Sequence, residues 1–387
     1  MASPLKEVIS YKLWVTGLII FLFLTHSHSF AQEPKYIRVA ILQDAPSLRL
    51  KIKGAYEVID SANRKVLNRG KSLNTTIMVY SDGILLGNIR SNANRLFVRS
   101  YGADNIINGR MFRGDIQLIK SSDTKLSVIN YIELEDYVKG ISVRETSHYR
   151  PEETLKAEVI VFRTFALYKM QENNKKDFDL TSDVYSQVYG GKGAERYRIN
   201  KIVDETKGMV LFYRGKVLPA FYHATCGGHT EDASLLWKVD IGPLKGVPCN
   251  FCRESPHFKW HSVLSQGEIK DALAKGGYKI GDIKDISISG RDKSGRIISL
   301  RIVNDKKDLD ISAKDFRENI IGPNIIRSTN FTVTLVDRDI VFEGLGWGHG
   351  VGLCQWGAYF MSRQDYDYKQ ILEYYYPGAK VSLISER

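Results

Sequence analysis

The sequence lacks repeats and low-complexity linkers, and it contains a single long hydrophobic run. This run, LWVTGLIIFLFL at residues 13–24, is about 12 residues long, whereas a helix that spans a bilayer needs ~20. Basic residues precede the run, and the small residues Ser29 and Ala31 follow it. The pattern predicts a signal peptide over residues 1–31. An uncleaved anchor is the alternative, and either would place the folded part of the chain outside the cytoplasm, in the periplasm or the cell wall.

Long runs of one charge are absent too. The formal net charge is +11, but the lysines and arginines are scattered along the chain, which argues against an arm that binds nucleic acid. A basic surface suits other anionic partners, such as anionic lipid or the acidic polymers of a cell wall. The predicted secretion favours the cell wall, and contact with a membrane is expected only if the N-terminal segment is retained.

The pattern of elements predicts an α+β protein. Short strand patterns separated by DG and GKS breaks fill a β-rich N-terminal region, residues 32–110. The remainder, residues 111–387, mixes helices and strands. Two helices come first, strand patterns follow at residues 261–343, and a glycine-rich loop then leads into a helix near the end.

A carboxylate extends the apolar face of the first helix. In ELEDYVKGISVRE, Leu134, Val138 and Ile141 have the spacing of one helix face, and Glu145 is the next position on that face. Partial burial and the negative end of the helix dipole would both raise the pKa of Glu145. A carboxyl that keeps its proton near neutral pH is suited to general acid catalysis. A glutamate that simply leaves the core where the helix ends is the alternative.

Cysteine is scarce, and three of the four cysteines lie close together in HATCGGHT and VPCNFCR. Cys226 and His229 have two residues between them, and so do Cys249 and Cys252. Two such turns can present four donors to one ion, and three thiolates with one imidazole are a standard structural zinc set. These four residues are therefore predicted to bind one structural zinc ion.

Other pairings of these residues remain open. His223 and His257 are rival histidine ligands, since His223 precedes Cys226 by three residues in a predicted strand. Disulfides are expected in an oxidising compartment, but they would have to include the distant Cys354 and a strained bridge within C-x2-C. A set of four protein ligands would be closed, so it would stabilise structure rather than activate water.

Three separated blocks resemble the sporulation stage II protein D family, also called the SpoIID/LytB domain. They are LEDYVKGISVRETSHYRPEETLKAEVIVFRTFAL, then AFYHATCGGHTEDASLLW with GVPCNFCRESPHFKW, and finally GWGHGVGLCQWGAYFM. Their order and spacing are consistent over residues 111–378. The resemblance implies a lytic transglycosylase that cuts peptidoglycan glycan strands, preferring strands stripped of stem peptides, and leaves 1,6-anhydro-muramic acid ends.

The resemblance also implies roles for particular residues. The family's catalytic glutamate falls on Glu145, and some members carry a cysteine-and-histidine zinc site in the second block, as this chain would. The glycine-rich block is expected to line the cleft, where Trp347 and Trp356 would stack on sugar faces and His349 and Gln355 would hydrogen-bond sugar hydroxyls or polarise Glu145. His223, in the second block, is a further substrate-binding candidate. The alternative is a tight structural loop that packs its tryptophans into the core.

Two other functions remain open. Related LytB proteins are described as amidase enhancers, which would make this chain a non-catalytic peptidoglycan-binding partner of another wall hydrolase. A zinc hydrolase is the third candidate. It would need an open metal position and an activity that chelation abolishes.

Overall fold

The N-terminal part of the chain forms one large β-sheet. The structure, a computed structural model, describes residues 36–183 and 186–384; the predicted signal peptide over residues 1–31 lies outside the described residues. The first eleven strands are β1 (Ile37–Ala45), β2 (Ser47–Asp60), β3 (Val66–Tyr80), β4 (Gly83–Leu86), β5 (Ile89–Ser91), β6 (Arg95–Ser100), β7 (Asp104–Ile107), β8 (Arg110–Phe112), β9 (Asp115–Ser122), β10 (Lys125–Ile132) and β11 (Leu180–Thr181).

These strands follow the order β11-β1-β10-β9-β6-β2-β3-β4-β5, and β7 pairs with both β2 and β8. The pairs are antiparallel except for β1 with β11. In β2, the buried residues Leu48, Leu50 and Ile52 alternate with exposed ones, which is the pattern of a strand with one face on the core. The predicted β-rich character of the N-terminal part is confirmed, and its sheet continues beyond residue 110 through β9 and β10.

The strands are longer than the sequence pattern predicted. The GKS stretch, predicted as a break, lies inside β3. Gly70 pairs with Tyr56 of β2, and a Cβ on Gly70 would come within 3.0 Å of the Tyr56 ring. The Tyr56 ring packs over Gly70, in the space that a side chain would occupy, and β3 continues through this glycine. The DG break does separate β3 from β4, as predicted.

The helices follow the large sheet in the chain. They are α1 (Leu134–Glu145), α2 (Glu152–Glu172), α3 (Tyr197–Glu205), α4 (Ala233–Trp237), α5 (Gln266–Lys275), α6 (Ala313–Asp315), α7 (Gln355–Ser362) and α8 (Tyr368–Tyr375). Single turns of 3-10 helix occur at Lys192–Ala194, Gly242–Leu244 and Phe251–Glu254, and a π-helical turn at Phe316–Ile321 follows α6. Across the two described ranges, no helix is both long and apolar enough to cross a bilayer.

Both predicted helices of the first block are confirmed. Val138 and Ile141 are fully buried, and α1 ends at Glu145. Pro151 immediately precedes α2, where its fixed φ suits a helix start. Apolar residues along α2 are buried, and so are polar residues such as Glu158 and Arg163. Helix α2 is therefore surrounded by protein and needs partners for these charges.

The second half of the chain contains four small sheets. They comprise β12 (Met209–Tyr213) with β13 (Lys216–Val217) and β22 (Lys380–Leu383); β14 (Tyr222–His223) with β21 (Leu353–Cys354); β15 (Lys259–Ser265) with β19 (Phe331–Val336) and β20 (Asp339–Leu345); and β16 (Ile283–Arg291) with β17 (Ile297–Asn304) and β18 (Leu309–Ser312). Buried apolar residues between positions 260 and 342 form a core of their own, separate from the main one. The observed class is α+β, as predicted.

A buried ion pair connects three of the helical segments. The guanidinium of Arg163 in α2 is fully buried, and it donates to Glu135 of α1 at 2.8 Å. It also donates to the carbonyl oxygens of Met209 and Val203, while Glu135 accepts from the backbone N–H of Gly208. Burial lowers the pKa of Arg163, and the Glu135 charge opposes that shift. The pair therefore joins α1 and α2 to the chain between α3 and β12.

Replacing Glu135 should leave an uncompensated buried cation. We expect Glu135→Gln to lower the free energy of unfolding by about 3 kcal/mol, the lower end of the cost of breaking a buried pair, because Glu135 is partly exposed. Urea denaturation followed by circular dichroism measures the change. Glu172→Gln is the matched control, since its pair with Lys169 lies at an exposed helix end and should contribute less than about 1 kcal/mol. Equal effects of the two variants would contradict the prediction.

Candidate active site and thiol cluster

The carboxylate of Glu145 lies at the end of α1, partly exposed and held by two donors. Oε1 accepts from the backbone N–H of Val188 at 2.6 Å, and Oε2 accepts from the hydroxyl of Tyr222 at 2.9 Å. Burial raises the pKa of Glu145, and these two hydrogen bonds oppose the rise without cancelling it. The direction predicted from the helix pattern is therefore confirmed, with burial as the main cause.

Tyr222 reaches Glu145 because of a short strand pairing. Strand β14 runs parallel to β21, with Tyr222 opposite Leu353 and His223 opposite Cys354. Successive side chains of a strand point to opposite faces, so Tyr222 and His223 project on different sides of this pair. Tyr222 was not among the residues predicted for the site. The predicted strand around His223 could have pointed to Tyr222, because adjacent side chains of a strand lie on opposite faces.

A second carboxyl lies close to Glu145 but is enclosed by protein. Glu158 of α2 is fully buried, and its Oε1 accepts from Arg150 at 2.7 Å. Arg150 also donates to the carbonyl oxygen of Gln355. The amide of Gln355, itself buried, donates to the carbonyl oxygen of Glu145 at 2.9 Å. Gln355, predicted either to contact sugar hydroxyls or to act on Glu145, thus contacts the main chain of Glu145; its contact with sugar stays a prediction.

The two histidines predicted for the cleft pack against each other. The ring centroids of His223 and His349 are 5.6 Å apart, and His349 also contacts the ring of Trp237. Burial lowers the pKa of His223 to about 3 and that of His349 well below its usual range, so both imidazoles are neutral. Nε2 of His223 is buried without a hydrogen-bond partner in the described part of the chain.

The predicted tryptophans lie on either side of the segment that follows His223. The backbone of Trp347 exchanges two hydrogen bonds with Thr225, and the N–H of Trp356 donates to the carbonyl oxygen of Ala224. Both indoles are partly exposed. The ring of His257 contacts both indoles by its edge, with centroid distances of 4.8 Å to Trp347 and 6.2 Å to Trp356. His257 therefore belongs to this surface.

All four cysteines come together in one buried cluster. The Sγ atoms of Cys226, Cys249, Cys252 and Cys354 lie within 4.8 Å of one another. The Sγ atoms of Cys226 and Cys252 are 3.4 Å apart, well beyond the ~2.05 Å of a disulfide, and all four thiols are free. Burial raises the pKa of Cys226 and Cys354, whereas hydrogen bonding from Cys226 and Cys252 lowers that of Cys249. The grouping is compatible with a metal site.

The fourth member of the cluster is Cys354 rather than the predicted His229. Pairing of β14 with β21 places Cys354 opposite His223, and the backbone N–H of Cys226 donates to Cys354 Sγ at 3.2 Å. His229 instead uses Nδ1 in a contact with the carbonyl oxygen of Thr230. Cys354 was predicted only as a distant disulfide partner, because it lies far from the other three cysteines in the sequence.

Family models match two parts of the chain. The stage II sporulation protein (SpoIID) model matches residues 122–213, which contain Glu145. A domain of unknown function, DUF8618, matches residues 249–352, from Cys249 to the glycine-rich loop. The second match includes all the residues of the separate C-terminal core.

Curated relatives match over most of the chain. An uncharacterized protein of Brachyspira hyodysenteriae is 37% identical over 276 residues, which are 71% of this chain and 73% of the relative. Stage II sporulation protein D of Bacillus subtilis is 28% identical over 66% of this chain and 76% of its own length. The amidase enhancer of Bacillus subtilis is 25% identical over 63% of this chain and 40% of its own length. On the family model and these relatives together, the chain belongs to the SpoIID family.

Proposed function

We propose that the chain is a lytic transglycosylase that cleaves peptidoglycan glycan strands outside the cytoplasm. SpoIID family proteins act on the cell wall, and the observation that carries the proposal is Glu145. Its pKa is raised by burial, while two fixed donors hold the carboxylate in place. Such a group can donate a proton near neutral pH and then remain stable as the anion.

The reaction needs only this one carboxyl. Protonated Glu145 donates to the glycosidic oxygen as the bond from muramic acid C1 to that oxygen breaks. The resulting carboxylate takes the proton of the same sugar's 6-hydroxyl, whose oxygen bonds to C1 and closes the 1,6-anhydro ring. No water is consumed, and the glutamate ends as it began.

The surroundings of Glu145 support a one-carboxyl mechanism. Val188 N–H and Tyr222 hydroxyl stabilise the anion formed after proton donation, and a hydroxyl can rotate to accept when Oε2 carries the proton. An inverting glycosidase would need a second carboxylate that activates water. The nearby carboxyl of Glu158 is fully buried and paired with Arg150, so it is not available to a water on the sugar.

A structural zinc ion held by four thiolates is the second part of the proposal. Four buried sulfur atoms within 4.8 Å of one another fit a tetrahedral site made of four cysteines. The ion would compensate the cost of burying several thiolates and would connect Cys226, the turn at Cys249–Cys252 and the start of α7. A set of four protein ligands has no open position, which argues against a zinc hydrolase.

The amidase-enhancer function is the competing candidate. It is supported by the relative of that name, which matches 63% of this chain. In this function the protein would bind peptidoglycan without cutting it and would stimulate an amidase. Anhydro-muramyl ends released by the purified protein from peptide-free glycan would favour the enzyme, and binding without such products would favour the enhancer.

Glu145→Gln should abolish cleavage while the fold persists. The amide keeps the shape of the side chain but cannot donate the proton, so the rate should fall by a factor on the order of 10² or more. Mass spectrometry of glycan fragments measures anhydro-ended products. Glu343→Gln, an exposed carboxyl on β20, is the control and should retain activity. A Glu145→Gln protein that releases these products at the wild-type rate would refute the assignment.

Tyr222→Phe should move the alkaline limb of the pH–rate profile to higher pH. The Tyr222 hydroxyl donates to the carboxylate and lowers the pKa of Glu145, so its removal should raise that pKa and keep the acid protonated at higher pH. The pH dependence of kcat/KM reports the shift. Tyr56→Phe, which removes a hydroxyl bonded to Asn68 in the N-terminal sheet, should leave the profile in place. A limb that stays or moves to lower pH contradicts the proposed role of Tyr222.

Purified protein should contain about one zinc ion per chain. Cys354→Ser should lower both the zinc content and the melting temperature, because metal binding at a closed site contributes to folding. His229→Gln is the matched control and should keep the metal. Elemental analysis with a free-thiol count measures both variants. Loss of zinc in His229→Gln but not in Cys354→Ser would restore the set of three cysteines and one histidine, and metal-free protein with disulfide-bonded cysteines would exclude the site.

A further inference from the structure

Two arginines lie over the tryptophans Trp347 and Trp356. The guanidinium of Arg327 is 4.8 Å from the ring centroid of Trp347, and that of Arg150 is 5.2 Å from the ring of Trp356. The ring of His257 lies between the indoles and contacts both by its edge. We call these five residues the Arg–Trp cluster. All five side chains are partly exposed, so they form a surface rather than part of the core.

The charges of this cluster are not balanced. Arg150 is paired with Glu158 at 2.7 Å, whereas no acidic side chain among the described residues forms an ion pair with Arg327. Burial lowers the pKa of His257, and the positive charges of Arg327 and Arg150 lower it further. Both guanidiniums therefore lie close enough to affect one imidazole, which stays neutral. The net result is an unpaired positive charge at Arg327.

Stacking leaves the hydrogen-bonding groups of a guanidinium free. The Cζ atom of Arg327 lies 4.8 Å over the centroid of the Trp347 ring, and the N–H groups of a guanidinium project from the edge of its plane. A planar fork of donors matches the two oxygens of a carboxylate, and the indole holds the fork in place at little further entropic cost. The preferred ligand of this surface is therefore a carboxylate, presented by a molecule that also contacts aromatic rings.

The cluster is directly connected to the proposed acid. Trp356 follows Gln355, whose amide donates to the main-chain carbonyl of Glu145, and Arg150 donates to the carbonyl oxygen of Gln355. A glycan strand with one glycosidic bond at Glu145 would place adjoining sugars near these rings. Pyranose rings stack on aromatic side chains, so the partly exposed indoles suit the sugar and Arg327 suits its acidic substituent.

We propose that Arg327 and His257 form a subsite for the free lactyl carboxylate of muramic acid, a role that rests on the proposed glycan substrate. A stem peptide converts this carboxyl into an amide, which has no charge for Arg327 to bind and is bulkier. Arg327 is thus a specificity-determining residue that distinguishes peptide-free from peptide-bearing strands. Its position in the loop before β19 gives the segment matched by DUF8618 a part in substrate selection.

Binding to a cleavage-deficient chain tests this subsite. The full-length Glu145→Gln protein is titrated by calorimetry with peptide-free glycan fragments, either with free lactyl carboxylates or with the same groups converted to methyl amides. The acid form should bind about tenfold more tightly, the gain expected of a charge-assisted pair. The advantage should shrink at high salt, because the ligand charge is partly exposed.

Variants of Arg327 should remove this preference selectively. Adding Arg327→Gln should make the two ligands bind alike, and adding Arg327→Lys should keep part of the difference, since charge remains but the fork is lost. Arg90→Gln is the matched control: Arg90 lies 4.6 Å over the ring of Tyr80 in the N-terminal sheet, and the preference should persist without it.

The outcomes separate this inference from the proposed reaction. An Arg327→Gln protein that still prefers the acid form, or a parent protein that binds both forms equally or neither, would overturn the subsite. A wild-type protein that shows the preference but releases no anhydro ends would leave the subsite standing and refute the transglycosylase. Release of anhydro ends without any preference for the acid form would support the transglycosylase and refute the subsite.

Discussion

The arrangement of the site depends on a two-residue parallel pairing between β14 and β21. It joins chain segments about 130 residues apart, with Tyr222 opposite Leu353 and His223 opposite Cys354. One side of the pairing supplies the hydroxyl bound to Glu145, and the other completes the thiol cluster. So short a ladder has little stability of its own. A metal ion at the four thiols would therefore stabilise the same contact that positions the acid.

The state of Glu145 is decided by two opposing effects. Burial disfavours the anion, whereas the donors Val188 and Tyr222 favour it, and burial is the larger effect. A fully buried glutamate without donors would hold its proton too tightly to release it at the transition state. An exposed one would be ionised before reaction. The position at the end of α1, with two donors from elsewhere in the chain, gives an intermediate acidity that suits proton transfer in both directions.

The sequence predicted local features well and long-range ones poorly. The bounds of α1, the burial of its face and the raised pKa of Glu145 follow from residues within one helix, so periodicity was sufficient to find them. Three thiols were found because they lie in one region of the sequence, two of them separated by only two residues. Cys354 and Tyr222 depend on the β14–β21 pairing, and His229 was preferred only because it is near in sequence. The merged strand β3 likewise depends on Tyr56, which lies in another strand.

The separate C-terminal core is also part of the site, because one of its side chains extends into the main core. Arg296, at the turn before β17, is fully buried and donates to the carbonyl oxygen of Cys226 at 2.8 Å. Its guanidinium lies against Gly350 of the glycine-rich loop, where a Cβ would come within 2.5 Å of Arg296 Cζ. The positive φ of Gly350 further excludes most other residues. The loop that carries Trp347 is thus fixed by an arginine from the C-terminal segment and by the ladder at β21. The glycine at this position consequently allows the loop to pack directly against Arg296, so the part of the loop that follows Trp347 is fixed by contacts with the C-terminal segment.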